Sequence, residues 1–122
     1  MPNALLFRLS ATLFFALCAG LLLAPGLFGA IFGLAPSTGA DVMARRAGLL
    51  FAPLGLLYLQ LADMDHPKVQ RALLSAGVVF LITIAMLGLT EWALGRVGPG
   101  ILVAVITEVL FAIFYLKALR HA

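Results

Sequence analysis

An apolar run with a single acidic residue sets the strongest limit on what this chain can fold into. Residues 100–116, GILVAVITEVLFAIFYL, carry no charged side chain except Glu108, which lies near the middle. A run of this length and composition is typical of a membrane-spanning helix. On insertion scales a charge at the centre of such a helix costs roughly 2.5 to 3.5 kcal/mol. The sequence therefore predicts that Glu108 faces other helices, finds a partner or is protonated.

The composition indicates that most of the protein surface meets lipid. Of 122 residues, 64% are hydrophobic and 11% are charged, whereas a soluble domain carries about 25% charged residues. Four apolar runs predict spans at about 5–24, 45–62, 69–90 and 100–117, which leaves no room for a soluble domain. We predict an all-α fold: residues 1–122 form a single transmembrane domain, a polytopic antiparallel bundle of four helices.

The segment after the first span is short and rich in turn residues. Residues 27–34, LFGAIFGL, follow Pro25-Gly26 and are too short to cross a bilayer, so they predict an interfacial or re-entrant segment. The turn residues of 35–41, APSTGAD, predict a loop. The second span then opens at Arg45.

Small residues repeat along one face of the second span, where another helix backbone is expected to approach closely. Arg45 lies at the head of this face, while Arg46 points about 100° away. In the first span, Arg8 is either an anchor whose charge reaches the headgroups or a cation that faces the bundle interior. The small residues are Ala44, Gly48, Ala52 and Gly55.

Three arrangements satisfy Glu108, and we favour the first. It pairs with Arg45, whose forked guanidinium can hold a carboxylate by two hydrogen bonds. In the second arrangement Glu108 pairs with Arg8. In the third it is protonated and hydrogen-bonded to Ser, Thr or Tyr hydroxyls. The predicted intramembrane polar site is therefore Glu108 with Arg45, Arg46 and Arg8. Such a pair is either a structural clamp that fixes helix register or a proton, ion or ligand site.

Other chemistry finds little support in the sequence. Asp63, Asp65 and His66 form a weak candidate metal site, because N-capping by Asp65 just before Pro67 explains that loop. Cys18 stands alone, and no nucleophile set converges, so we expect no enzyme activity, no metal and no cofactor. Eight Lys and Arg residues at segment ends form no basic face, which argues against nucleic acid.

The distribution of cations predicts the orientation. The side that holds both termini carries five Lys and Arg residues, and the opposite side carries Arg45, Arg46 and Arg96. By the positive-inside rule we expect the N- and C-termini to be cytoplasmic, and the modest excess leaves inverted or dual insertion as the alternatives.

Several short motifs carry a resemblance to a known group. They are APGLFGAIFGL at 24–34, ARRAGLLF at 44–51, HPKVQRALL at 66–74, and Glu108 in the fourth span. With these the chain resembles the DoxX-like small bacterial four-helix integral-membrane proteins. The resemblance implies a four-helix fold in a bacterial cytoplasmic (inner) membrane and an accessory role beside respiratory or redox enzymes. It supplies no catalytic residues.

Two functions are compatible with these features. The first is a non-enzymatic accessory or assembly subunit that docks on a larger membrane complex through its small-residue faces. The second is a small oligomeric transporter or lipophilic-ligand binder that uses Glu108 with Arg45. The expected partners are the lipid bilayer and either other membrane subunits or further copies of this chain.

Overall fold

The computed structural model describes residues 2–122, in which the chain forms five helices. Four of these, all except the short α2, are long and apolar enough to cross a membrane. The predicted all-α architecture with four spans is confirmed. The helices are α1 (Asn3–Leu23), α2 (Pro25–Ile31), α3 (Thr38–Leu61), α4 (Pro67–Ala93) and α5 (Ile101–Arg120).

Two local predictions are wrong, both at the starts of helices. Residues 38–41 belong to α3 because the Ser37 side chain caps it, accepting a hydrogen bond of 3.0 Å from the Ala40 N–H. Asp41 adds a negative charge to the first turn, where the helix dipole favours it. At the start of α4 the N-cap is His66 rather than Asp65, and its side chain makes no capping hydrogen bond. Pro67 at the first position lacks an N–H and needs no partner there.

The spans associate as two close pairs, α1 with α3 and α4 with α5. Glycines on α3 make the first pair possible, as the small-residue face predicts. A Cβ on Gly48 would lie 2.9 Å from Leu21 Cβ and 3.2 Å from the Cys18 carbonyl oxygen. A Cβ on Gly55 would meet the Phe15 ring at 3.1 Å. The face is therefore used inside the chain, against α1.

Glycines on α4 play the same part in the second pair. A Cβ on Gly88 would lie 2.8 Å from Val105 Cγ2, and one on Gly77 would overlap the Tyr115 ring. These two contacts fix the antiparallel register of α4 and α5. Gly88 lies level with the first turns of α5, and Gly77 lies level with its last turns.

Aromatic rings join the two pairs across the middle of the bundle. The Phe14 and Phe80 centroids are 5.8 Å apart, and those of Phe51 and Phe80 are 6.1 Å apart. Nearer the termini, Tyr115 packs 6.3 Å from both Phe7 and Tyr58. Each such pair contributes about 0.5 to 1.5 kcal/mol beyond the burial of its area.

The segment after α2 is held against the loop between α4 and α5. The Gly98 N–H donates a 2.6 Å hydrogen bond to the Phe32 carbonyl. Gly33 adopts a φ of 73°, which favours glycine, and a Cβ there would lie 2.8 Å from Gly98 N. This contact ties the first pair of spans to the second and places Phe32 beside the start of α5.

We predict that Gly48→Ala destabilises the protein, because the added methyl meets the backbone of α1. The contacted atoms belong to the helix itself, so α1 and α3 would have to move apart to make room. Overpacking of this kind costs about 1 to 3 kcal/mol. Gly39→Ala is the matched control, since it lies on the same helix with nothing within 4 Å of its Cβ. Thermal unfolding in mild detergent measures both. Equal stability of the two variants would contradict the packing of α1 on α3.

Candidate functional site

Glu108 lies in a crevice between α4 and α5 rather than at the centre of the bundle. The crevice has a volume of about 200 Å³, and its walls are apolar apart from Glu108 and Glu91. Gly88 opens the α4 side, and Phe32, held by the segment after α2, lies at its edge. The remaining lining residues are Ile84, Leu87, Val97, Ile101, Ala104 and Val105.

The Glu108 side chain is half-buried, and one of its two carboxylate oxygens is covered but not compensated within the described chain, residues 2–122. Its Oε2 atom is buried and has no hydrogen-bond partner there. The nearest hydroxyl in sequence, that of Thr107, bonds instead to the Val103 carbonyl at 3.0 Å. Removing a neutral polar group from water without a hydrogen-bond partner costs about 2 to 7 kcal/mol, and an ionised carboxylate costs far more.

The expected pair between Glu108 and Arg45 is not formed within a single chain, so this pairing stays a prediction. The ion pairs among residues 2–122 are Arg8–Asp63 and Arg96–Glu91. Arg45 and Arg46 both lie exposed on α3, which packs against α1, whereas Glu108 belongs to α5, which packs against α4. The predicted four-residue polar site is therefore not assembled inside the chain, and neither is the clamp between these residues.

Arg8 lies at the protein surface and does not face the bundle interior. Its Nη2 atom donates hydrogen bonds of 2.8 and 2.6 Å to the two oxygens of Asp63, and both side chains are exposed. The pair links the first turns of α1 to the loop after α3. It also engages a carboxylate of the weak candidate metal site, and among residues 2–122 no group of three or more His, Cys, Asp or Glu side chains is arranged to hold a metal ion.

Arg96 neutralises the second acid of the crevice. Its Nη1 atom lies 3.2 Å from Glu91 Oε1 near the end of α4. Glu91 was not predicted as part of the site, because it lies at a helix end where an acid needs no explanation. Only the antiparallel register of α4 and α5, fixed by Gly88, places Glu91 in the crevice with Glu108.

A second polar cluster was also missed by the sequence. Ser10 Oγ donates to the Leu6 carbonyl at 2.9 Å and accepts a hydrogen bond from the Tyr115 hydroxyl. The Tyr58 hydroxyl donates to the Leu73 carbonyl at 2.7 Å. The available signal was the presence of both tyrosines of the chain inside apolar runs, because a buried Tyr hydroxyl usually finds a partner.

Fold and site together define a small multi-pass integral membrane protein, an all-α bundle with one uncompensated carboxylate in a crevice between two helices. Comparison with protein-family models, with curated proteins and with solved structures gave no match.

We predict that Glu108→Gln leaves the isolated chain folded and at least as stable, because no bond within the chain is lost and an uncompensated charge is removed. Tyr58→Phe is the control, because the Tyr58 hydroxyl has a hydrogen-bond partner inside the chain and the Glu108 oxygen has none. It should lower the free energy of unfolding by about 1 kcal/mol, since it removes the hydrogen bond that the Tyr58 hydroxyl donates to the Leu73 carbonyl. Unfolding of the monomers, measured at a detergent dilution that separates any associated copies, compares the two. A large loss of unfolding free energy in the Glu108→Gln variant would instead indicate that Glu108 is a structural clamp between helices.

Proposed function

We propose that the protein is a non-enzymatic assembly subunit of a larger membrane complex, which associates laterally through the crevice at Glu108. The observation that supports this is the buried Glu108 oxygen without a partner within residues 2–122. In lipid, a charged group of this kind is stable only when another helix or a ligand compensates it. The DoxX-like resemblance, which implies an accessory role, agrees with this proposal.

The small-residue face of α3 is not the docking surface of this proposal. Gly48 and Gly55 are already buried against α1. Lateral association therefore uses the side of the bundle formed by α4 and α5, where the crevice lies. A partner that enters the crevice must supply a cation, because the acids there are Glu108 and the already paired Glu91.

We assign that cation to Arg45 of a second copy of the chain, on the basis of its depth, so the proposed complex contains at least two copies of this subunit. The Phe51–Phe80 ring contact shows that α3 and α4 are level at this point. Arg45 lies six residues from Phe51, about 9 Å towards the α4–α5 loop, at 1.5 Å per residue. Ile84, which lines the crevice with Glu108, lies about 6 Å from Phe80 in the same direction. Arg45 and the crevice are therefore within one helical turn in depth.

The exposure of Arg45 supports the same assignment. Its side chain lies on the surface of α3 and is absent from the ion pairs among residues 2–122. Because Arg45 and Glu108 lie on different helix pairs, copies join them either by a reciprocal exchange in a dimer or by head-to-tail contacts that close into a ring. Each copy would then compensate the carboxylate that the other leaves exposed to an apolar environment.

Charge exchange tests the assembly. We expect wild-type protein in nanodiscs or mild detergent to form a dimer or larger oligomer. Glu108→Gln and Arg45→Gln should each weaken association roughly tenfold or more, because loss of one member leaves the other charge buried and unpaired. Combining Glu108→Arg with Arg45→Glu should restore it. Native mass spectrometry measures the oligomer population.

Arg46→Gln is the matched control, since it removes a neighbouring exposed cation of the same helix. It should leave association unchanged. A monomeric wild type, or equal losses for the Arg45 and Arg46 variants, would overturn the assignment to a second copy. Failure of the double charge exchange to restore a dimer would overturn the direct pairing.

A second candidate function is binding or transport of a lipophilic cation, and the concave shape of the crevice favours it. A space of about 200 Å³ with apolar walls and one carboxylate matches a small organic ammonium ion. For transport, several copies would have to act together, since each bundle encloses little volume.

We expect benzyltrimethylammonium to bind the wild type saturably if this second function operates. Its neutral isostere, neopentylbenzene, should bind about tenfold more weakly or not at all, because only the ammonium pairs with Glu108. Glu108→Gln should remove the difference between the two probes. Equal binding of both probes by the wild type would show partitioning into lipid and would rule this function out.

Localisation follows the charge distribution. We propose that the protein resides in a bacterial cytoplasmic membrane with both termini on the cytoplasmic side, supported by the excess of Lys and Arg on the terminal side.

A further inference from the structure

A cavity of about 110 Å³ lies between the two helix pairs, on the terminal side of the aromatic contacts. It is separate from the Glu108 crevice, with which it shares no lining residue. Most of its wall is apolar, formed among others by Leu54, Phe80 and Phe111. Its polar wall consists of Ser10, Tyr58 and Tyr115, the cluster described above.

The size of this cavity suits one small ring. An engineered apolar cavity of about 150 Å³ stays dry and binds benzene. The cavity between the helix pairs is somewhat smaller than that, and it also offers polar atoms at one side. A ligand that fills it must therefore be compact, largely apolar and polar at one point only.

Hydrogen-bond accounting determines which polar group that ligand carries. The Ser10 hydroxyl donates to the Leu6 carbonyl, and the Tyr58 hydroxyl donates to the Leu73 carbonyl. Because Ser10 has a single hydrogen, the Tyr115 hydroxyl is the donor in the bond between Tyr115 and Ser10. All three hydroxyl hydrogens of the cluster are used. What remains are acceptor lone pairs on the two tyrosine oxygens, since each phenol both donates and accepts.

We infer that this cavity is a binding site for a small monocyclic ring that carries a hydroxyl group, a ligand of the phenol class. The ring fills the apolar space, and its hydroxyl donates a hydrogen bond to the Tyr58 or Tyr115 oxygen. A ring that carries a carbonyl in place of the hydroxyl is disfavoured, because its oxygen would face acceptors with no donor between them. The inference is independent of the function proposed for Glu108.

The chain provides its own reporters for a direct test. It contains two tyrosines, both in the cavity wall, and one tryptophan, Trp92, near the end of α4. Protein labelled with 3-fluorotyrosine therefore gives two ¹⁹F signals from this site alone. Labelling Trp92 with 5-fluorotryptophan reports non-specific partitioning at the membrane surface. The probes are phenol and toluene, which have nearly the same shape but differ in the hydroxyl.

We expect phenol to shift both fluorotyrosine signals saturably at concentrations that leave the fluorotryptophan signal unchanged. Phenol should bind about threefold to tenfold more tightly than toluene, as one net hydrogen bond predicts. Tyr115→Phe and Tyr58→Phe each remove one acceptor, so at least one of them should abolish this preference while toluene still binds. The two variants are independent, so failure of one to fold leaves the test intact.

Three outcomes would overturn the inference. In the first, neither probe shifts the tyrosine signals before the tryptophan signal moves, as expected if the cavity holds only water. In the second, toluene binds as tightly as phenol, which would show an apolar site with no role for the hydroxyl. In the third, both tyrosine variants keep the full preference for phenol.

Discussion

The structure depends on the rule that polar groups surrounded by lipid must find hydrogen-bond partners inside the protein. Hydroxyls within the spans obey it by bonding to carbonyls one turn earlier, as Thr83 does to Val79 and Thr107 to Val103. Tyr58 satisfies it across helices, through the Leu73 carbonyl. Among the buried side chains of the described residues, Glu108 is the one that lacks a partner. Its position identifies the side of the bundle where a further partner is needed.

Two kinds of contact hold the bundle together, and their difference explains where its internal space lies. Within each pair, glycines let the helix backbones approach closely, and in the second pair the space that remains is the crevice beside Glu108. Between the pairs, large rings such as Phe14, Phe80 and Tyr115 provide the contact. Rigid rings fill an irregular gap incompletely, which leaves the cavity beside the tyrosines. The placement of small and aromatic residues thus determines where the helices touch and leaves two separate spaces, one within the second pair and one between the pairs.

Hydropathy and small-residue spacing were enough to predict the four spans and the close approach along Gly48. They were not enough to show that Arg45 and Glu108 lie apart within the chain, because hydropathy does not determine which helix packs beside which. That choice rests on long-range contacts, such as the one between Gly33 and Gly98, that no local pattern encodes. The missed start of α3 has a local cause: Ser37 was interpreted as a turn residue, although Ser is equally suited to cap a helix.

Helix α5 connects the two sites. Glu108 lines the crevice, and Phe111, three residues later, lines the cavity. Residues three apart on a helix lie on neighbouring parts of its surface, so a rotation or tilt of α5 would change both spaces together. Such a movement is opposed at Gly77 and Gly88, where α4 leaves no room around Tyr115 and Val105. The glycine contacts on α4 therefore limit how far α5 can move between the crevice and the cavity.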